Sequence, residues 1–146
     1  MLKPARSFKM PYSISCAAYQ GSYDNYQALA IGLVDGAIII LDLVLGVEKM
    51  FLEKHPGEIS ALAFWEDKAL ISGSLDGRVN ISDLEQEPDV ENKRILRCQN
   101  CQNRRIPVVR VITSEFGIGA AVDVEGNCRF YDLIRQRKIA KISSLN

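Results

Sequence analysis

The stretch Ser74-Leu75-Asp76-Gly77-Arg78-Val79-Asn80-Ile81-Ser82-Asp83 sets an acid–glycine pair before an alternating run that closes on aspartate. The frame occurs twice more. It returns as Leu33-Val34-Asp35-Gly36-Ala37-Ile38-Ile39-Ile40-Leu41-Asp42 and as Asp123-Val124-Glu125-Gly126-Asn127-Cys128-Arg129-Phe130-Tyr131-Asp132. In all three the closing Asp stands seven positions after the acid of the acid–glycine pair. Asp42 and Asp83 are 41 residues apart, and Asp83 and Asp132 are 49 apart. A period of this size marks a repeat in which each unit is one supersecondary element. The longer second interval implies a loop insertion.

An acid–glycine pair between two apolar runs reads as a tight hairpin turn, because glycine reaches positive φ without a Cβ penalty. Small and β-branched residues precede each pair, at Ala28 to Gly32, Ala69 to Gly73 and Gly117 to Val122. That composition suits a strand buried on both faces. Alternation follows each pair, as in Val79/Ile81 and Cys128/Phe130. A further strand is expected ahead of each, at Ile14 to Tyr19, Ile59 to Phe64 and Val108 to Ile112. A fourth should follow each closing Asp, at Val47 to Leu52, Arg94 to Cys98 and Lys138 to Ile142. No stretch sustains the 3.6-residue period over a helix length, so the chain is expected to be all-β.

The middle unit resembles a WD40 repeat over its whole length. The match runs from His55-Pro56-Gly57-Glu58-Ile59-Ser60-Ala61-Leu62-Ala63-Phe64 through Ala69-Leu70-Ile71-Ser72-Gly73-Ser74 to Asp83. His55 takes the family's Gly-His position, with Lys54 in place of the glycine. The flanking units are degenerate: Met10 and Arg104 stand where the His would fall. Leu41, Ser82 and Tyr131 replace the Trp of the family's Trp-Asp pair. The resemblance implies an all-β, WD40-type β-propeller fragment of about three four-stranded antiparallel blades. They would span 10–52, 55–98 and 104–142 within a single repeat region, 1–146. A propeller needs about four to eight blades, so three leave the ring unclosed. The expectation is a fragment or short isoform of a larger WD-repeat protein, or a ring completed by other chains.

The resemblance also implies a structural network in the middle blade, made by His55, Asp76 and a strand serine, Ser72 or Ser74. In it Asp76 would accept from an imidazole N–H and fix the loop ahead of the blade to its inner turn. A His, an Asp and a Ser could also be read as a hydrolytic triad. The family gives these residues a structural role, so no catalytic residue is expected.

Composition excludes little by itself. Apolar residues make up 47% of the chain and charged residues 25%, which is ordinary for a soluble globular protein. Bases and acids number 18 each, but residues 1–92 hold 14 acids and 7 bases, whereas residues 93–146 hold 4 acids and 11 bases. The split either neutralises across the surface or steers an acidic partner to the C-terminal third. Apolar runs such as Ala37 to Leu41 are strand-sized, so no membrane span is expected. The N-terminus lacks the apolar core of a secretory signal, which makes the cytoplasm the expected location and the four cysteines thiols. Cys98-Gln99-Asn100-Cys101 is the one metal-like or redox-like spacing. A structural zinc needs four ligands, and Cys16, Cys128 and His55 are not paired at metal spacing. Neither a metal nor a cofactor is expected.

Partners are expected to be other proteins, including the remaining blades. The candidate interaction surface is Tyr23, Tyr26 and Trp65 with Arg104 and Arg105, since loop aromatics backed by arginine anchor interfaces. The opposing reading makes the tyrosines a lid on their own blade and Trp65 the cover of a blade edge. Lys93, Arg94, Arg97, Arg104, Arg105 and Arg110 could instead recognise a polyanion such as nucleic acid or phospholipid. No aromatic residue interleaves them for base stacking, which disfavours nucleic acid. The resulting expectation is a non-catalytic scaffold or adaptor.

Overall fold

A computed structural model describes residues 7–21, 27–52, 54–85 and 106–143. Eleven strands occur among them and no helix. β1 (Ile14–Gly21), β2 (Gln27–Leu33), β3 (Ile38–Asp42) and β4 (Val47–Leu52) form one antiparallel sheet in chain order. β5 (Ile59–Trp65), β6 (Ala69–Ser74) and β7 (Val79–Asp83) form a second. β8 (Val108–Thr113), β9 (Ile118–Asp123), β10 (Cys128–Asp132) and β11 (Arg137–Ile142) form a third. The second sheet packs against both others, through β1 with β5 and β5 with β8, and the stack is not closed. The strand expected at Arg94 to Cys98 lies outside the described residues.

Local chemistry explains why each sheet repeats the same plan. Gly36, Gly77 and Gly126 follow a β-turn at φ of 95°, 89° and 84°. Their amides return to Leu33, Ser74 and Asp123 at 3.0 Å. A side chain in this region would be strained, which is what the acid–glycine spacing had encoded. The second residue of each turn also reaches back to the start of its sheet: the Val34 amide donates to the Ser13 carbonyl, Leu75 to Glu58 and Val124 to Pro107. Each closing Asp caps the following turn. Asp42 accepts from the Val44 and Leu45 amides, Asp83 from Glu85, and Asp132 from Ile134 and Arg135. The repeated aspartate is therefore a turn acceptor, whatever residue stands before it.

Central strands are buried on both faces, as their composition requires; all six residues of β6 are buried. One boundary differs from expectation. Gly117 does not begin the strand but sits in the preceding turn at φ 84°, and β9 starts at Ile118.

Sheet-to-sheet packing rests on glycines opposite β-branched residues. A Cβ on Gly32 of β2 would collide with Ile59 of β5, and one on Gly73 of β6 would collide with Val108 of β8. The two positions are equivalent, each three residues before the turn acid. Around them lie two buried clusters. Ala28, Ala30, Ile38 and Ile40 meet Ile59, Phe64 and Leu70 between the first and second sheets. Ala61, Ile71, Val79 and Ile81 meet Val108, Val111, Ala121 and Tyr131 between the second and third.

Candidate functional site

His55 sits where the first sheet's turn meets the second sheet. Its amide donates to the Gly36 carbonyl at 2.9 Å, across the sheet boundary. Its imidazole Nε2 lies 2.8 Å from the Ser72 hydroxyl on β6. Both side chains are completely buried. Burial pushes the His55 pKa down to about 4, against the attraction of Asp76 and aided by the repulsion of Arg78. The imidazole is therefore neutral at neutral pH, an internal strut between two sheets.

The expected His–Asp bond is not made. Among the described residues, the His55 Nδ1 atom has no hydrogen-bond partner. Asp76 instead accepts from the Arg78 amide at 3.1 Å and faces the Arg78 side chain at 3.6 Å. Its own amide donates to the Ser74 hydroxyl at 3.2 Å. A carboxylate offered a guanidinium and a nearby amide satisfies itself locally, and the neutral imidazole supplies no competing charge. The four residues thus form two pairs, His55 with Ser72 and Asp76 with Ser74. The buried His55–Ser72 pair presents no face to a substrate, so this geometry cannot serve as a nucleophile and base.

Lys54 was marked in the sequence only as a departure from the repeat pattern. Its ammonium lies 3.0 Å from the Asp35 carboxylate, beside the His55–Gly36 bond. Burial pulls the Asp35 carboxyl up, but the Ala37 amide and Lys54 outweigh it and hold the pKa below its ordinary value. The substitution of lysine for glycine there was the available signal.

Trp65 ends β5 and is half-buried rather than free on a turn. Its indole N–H donates to the Glu115 carbonyl at 3.3 Å, and Lys68 lies 5.1 Å from its ring centroid. Thr113 reinforces the same junction by donating to the Phe64 carbonyl at 2.6 Å. Trp65 therefore covers the edge between two sheets while keeping part of its surface outside. Tyr23, Tyr26, Arg104 and Arg105 lie outside the described residues, as do Cys98 and Cys101. Aromatic residues that sequence reasoning missed are exposed instead: Tyr12, Tyr19 and Phe116, the last at 79%. Phe116 precedes the turn glycine Gly117, and that adjacency is its one cue in the sequence.

Among the described residues no group of His, Cys, Asp and Glu is placed to hold a metal ion. No helix there is long and apolar enough to cross a membrane. The Cys16 and Cys128 thiols are both raised in pKa, chiefly by burial, which keeps them protonated.

These features define an all-β protein of stacked antiparallel sheets. No protein-family profile and no curated protein matches the sequence. Among solved structures the chain is similar to the computationally designed Ika8 protein, at 20% identity and a TM-score of 0.66. That match covers 89% of this chain and 36% of the other. It is similar also to the computationally designed Ika4 protein, at 19% identity and a TM-score of 0.68, over 92% of this chain and 74% of that one. At such identity the likeness concerns fold alone.

Proposed function

We propose that the chain is a non-catalytic protein-interaction scaffold of WD40 β-propeller type, supplying three blades to a larger assembly. One observation carries the reading. The three units repeat the same turn, the same aspartate cap and the same reach-back bond, and neighbouring units interlock through Gly32–Ile59 and Gly73–Val108. A sheet stack with that repeat leaves its chemistry to its surface, where Tyr12, Tyr19, Trp65 and Phe116 offer aromatic anchors. The outer face of the third sheet supports the same role. Its register aligns Ile112, Ala120, Phe130 and Ala140 in one row, with Ile142 alongside, and Ile112 and Ile142 are more than half exposed.

Cross-linking mass spectrometry on the chain with co-purifying proteins tests this reading. Cross-links to one protein at near-physiological salt, mapping to these surfaces, are the expected result. Binding only to nucleic acid or anionic vesicles, lost steeply as salt rises, would replace it with polyanion recognition through Arg110, Arg137, Lys138 and Lys141. The described part of the basic C-terminal third also holds Arg129, which is buried, and Arg135, which is paired with Asp132.

A further inference from the structure

We propose that a groove between the second and third sheets, walled by Trp65, receives a lysine or arginine side chain from a partner peptide. The inference rests on the scaffold role above and names the chemistry of a partner. The groove measures about 330 Å³, and its lining includes Trp65, Lys68, Asp83, Glu85, Leu133 and Ile134. That volume lies at the small end of ligand sites and suits one long side chain with its flanking backbone.

The aromatic wall is pre-organised. The Trp65 N–H is fixed on the Glu115 carbonyl, and the indole lies so close to Gly117 that a Cβ there would come within 3.1 Å of it. The ring accepts a cation, as the Lys68 ammonium over it demonstrates. The charge balance then favours a cationic visitor. Lys68 is answered by Glu66 at 3.5 Å, and Arg135 by Asp132 at 3.0 Å. Asp83 and Glu85 have no cation within ion-pair distance among the described residues. The Glu85 amide donates to Asp83 Oδ1 at 2.9 Å, which holds both acids on one short turn at the groove. Leu133 and the exposed Ile134 supply apolar surface for the aliphatic stem that such a side chain carries. An aromatic face, two carboxylates with no cation partner among the described residues and an apolar floor together describe a site for a cation on a stem.

Trp65 is the sole tryptophan, so its fluorescence reports on the groove alone. The probes are the peptides acetyl-Leu-Arg-Leu-amide and acetyl-Leu-Glu-Leu-amide. The arginine peptide is expected to change the emission saturably, and the glutamate peptide to leave it unchanged. Asp83→Asn with Glu85→Gln should weaken arginine-peptide binding about tenfold. Asparagine keeps the Oδ1 acceptor, so an unchanged melting temperature verifies the fold of that variant. Lys68→Gln, which removes the competing cation, should tighten binding. No saturable response to the arginine peptide, an equal response to the glutamate peptide, or undiminished affinity in the doubly neutralised variant overturns the proposal. If the groove fails these tests while cross-links to a protein partner persist elsewhere on the surface, the scaffold role stands and only the groove is lost.

Discussion

Gly36 and His55 join the first two sheets: the His55 amide bonds to the Gly36 carbonyl, and any Cβ on Gly36 would overlap the His55 carbonyl oxygen. Gly36→Ala therefore carries two penalties, the strain of φ 95° and a collision with backbone. A loss of about 3 kcal/mol or more is expected, read as a shift in denaturant midpoint. Gly126→Ala is the control. It shares a positive φ of 84° but is exposed, so only the conformational penalty of about 1 kcal/mol should appear. Equal losses at the two sites would remove the special role of the Gly36–His55 contact.

His55 makes stability depend on acid. Its folded pKa of about 4 lies below the ordinary 6.5, so between these values the unfolded chain binds the extra proton. The contribution is complete above pH 6.5 and is lost as the pH falls through 4, amounting to about 3 kcal/mol at most. Urea midpoints measured from pH 7 to pH 4 should fall accordingly, and His55→Gln should flatten the His-dependent part of that slope. The chain has one histidine, so its imidazole resonances can be followed directly by NMR. Asp76 raises the His55 pKa through space, and Asp76→Asn should therefore lower it further without unfolding the protein.

Ser72→Ala tests the partner of that imidazole. It strips the only hydrogen bond that the described residues give His55's side chain, at a site with no solvent exposure. Leaving a buried polar atom unpaired costs about 1–3 kcal/mol. Ser74→Ala, which removes an acceptor from a turn amide only, should cost less. Thermal unfolding of the two variants side by side checks the order, and the reverse order would identify Ser74 as the structural serine.

Much of this arrangement is legible in the sequence, and the reason is local. Turn glycines need positive φ and turn aspartates need nearby amides, so acid, glycine and closing Asp leave a mark at fixed spacing. Which serine meets His55 was not legible. Ser72 and Ser74 lie two residues apart on one strand and both are completely buried, so neither alternation nor burial separates them. Nor was the fate of Asp76, because Arg78 competes for its carboxylate two residues away. Trp65 was visible as an aromatic at a strand end. Its bond to Glu115 joins residues fifty positions apart, and no periodicity encodes that pairing.

The equivalence of Gly32 and Gly73 was also hidden, since a glycine three residues before the acid has no meaning until the next sheet is in place. Gly73→Ala would drive a methyl into Val108, which is fully buried and held by its own strand. Overpacking of this kind costs about 1–3 kcal/mol. Val108→Ala alone would leave a cavity and cost about 1–2.5 kcal/mol. If the two side chains occupy one space, the double variant should be destabilised by at least about 1 kcal/mol less than the sum of the single losses. Denaturant unfolding of the four proteins closes the cycle. Strict additivity would mean that Gly73 and Val108 do not share that space, and the interlock between the second and third sheets would have to lie elsewhere.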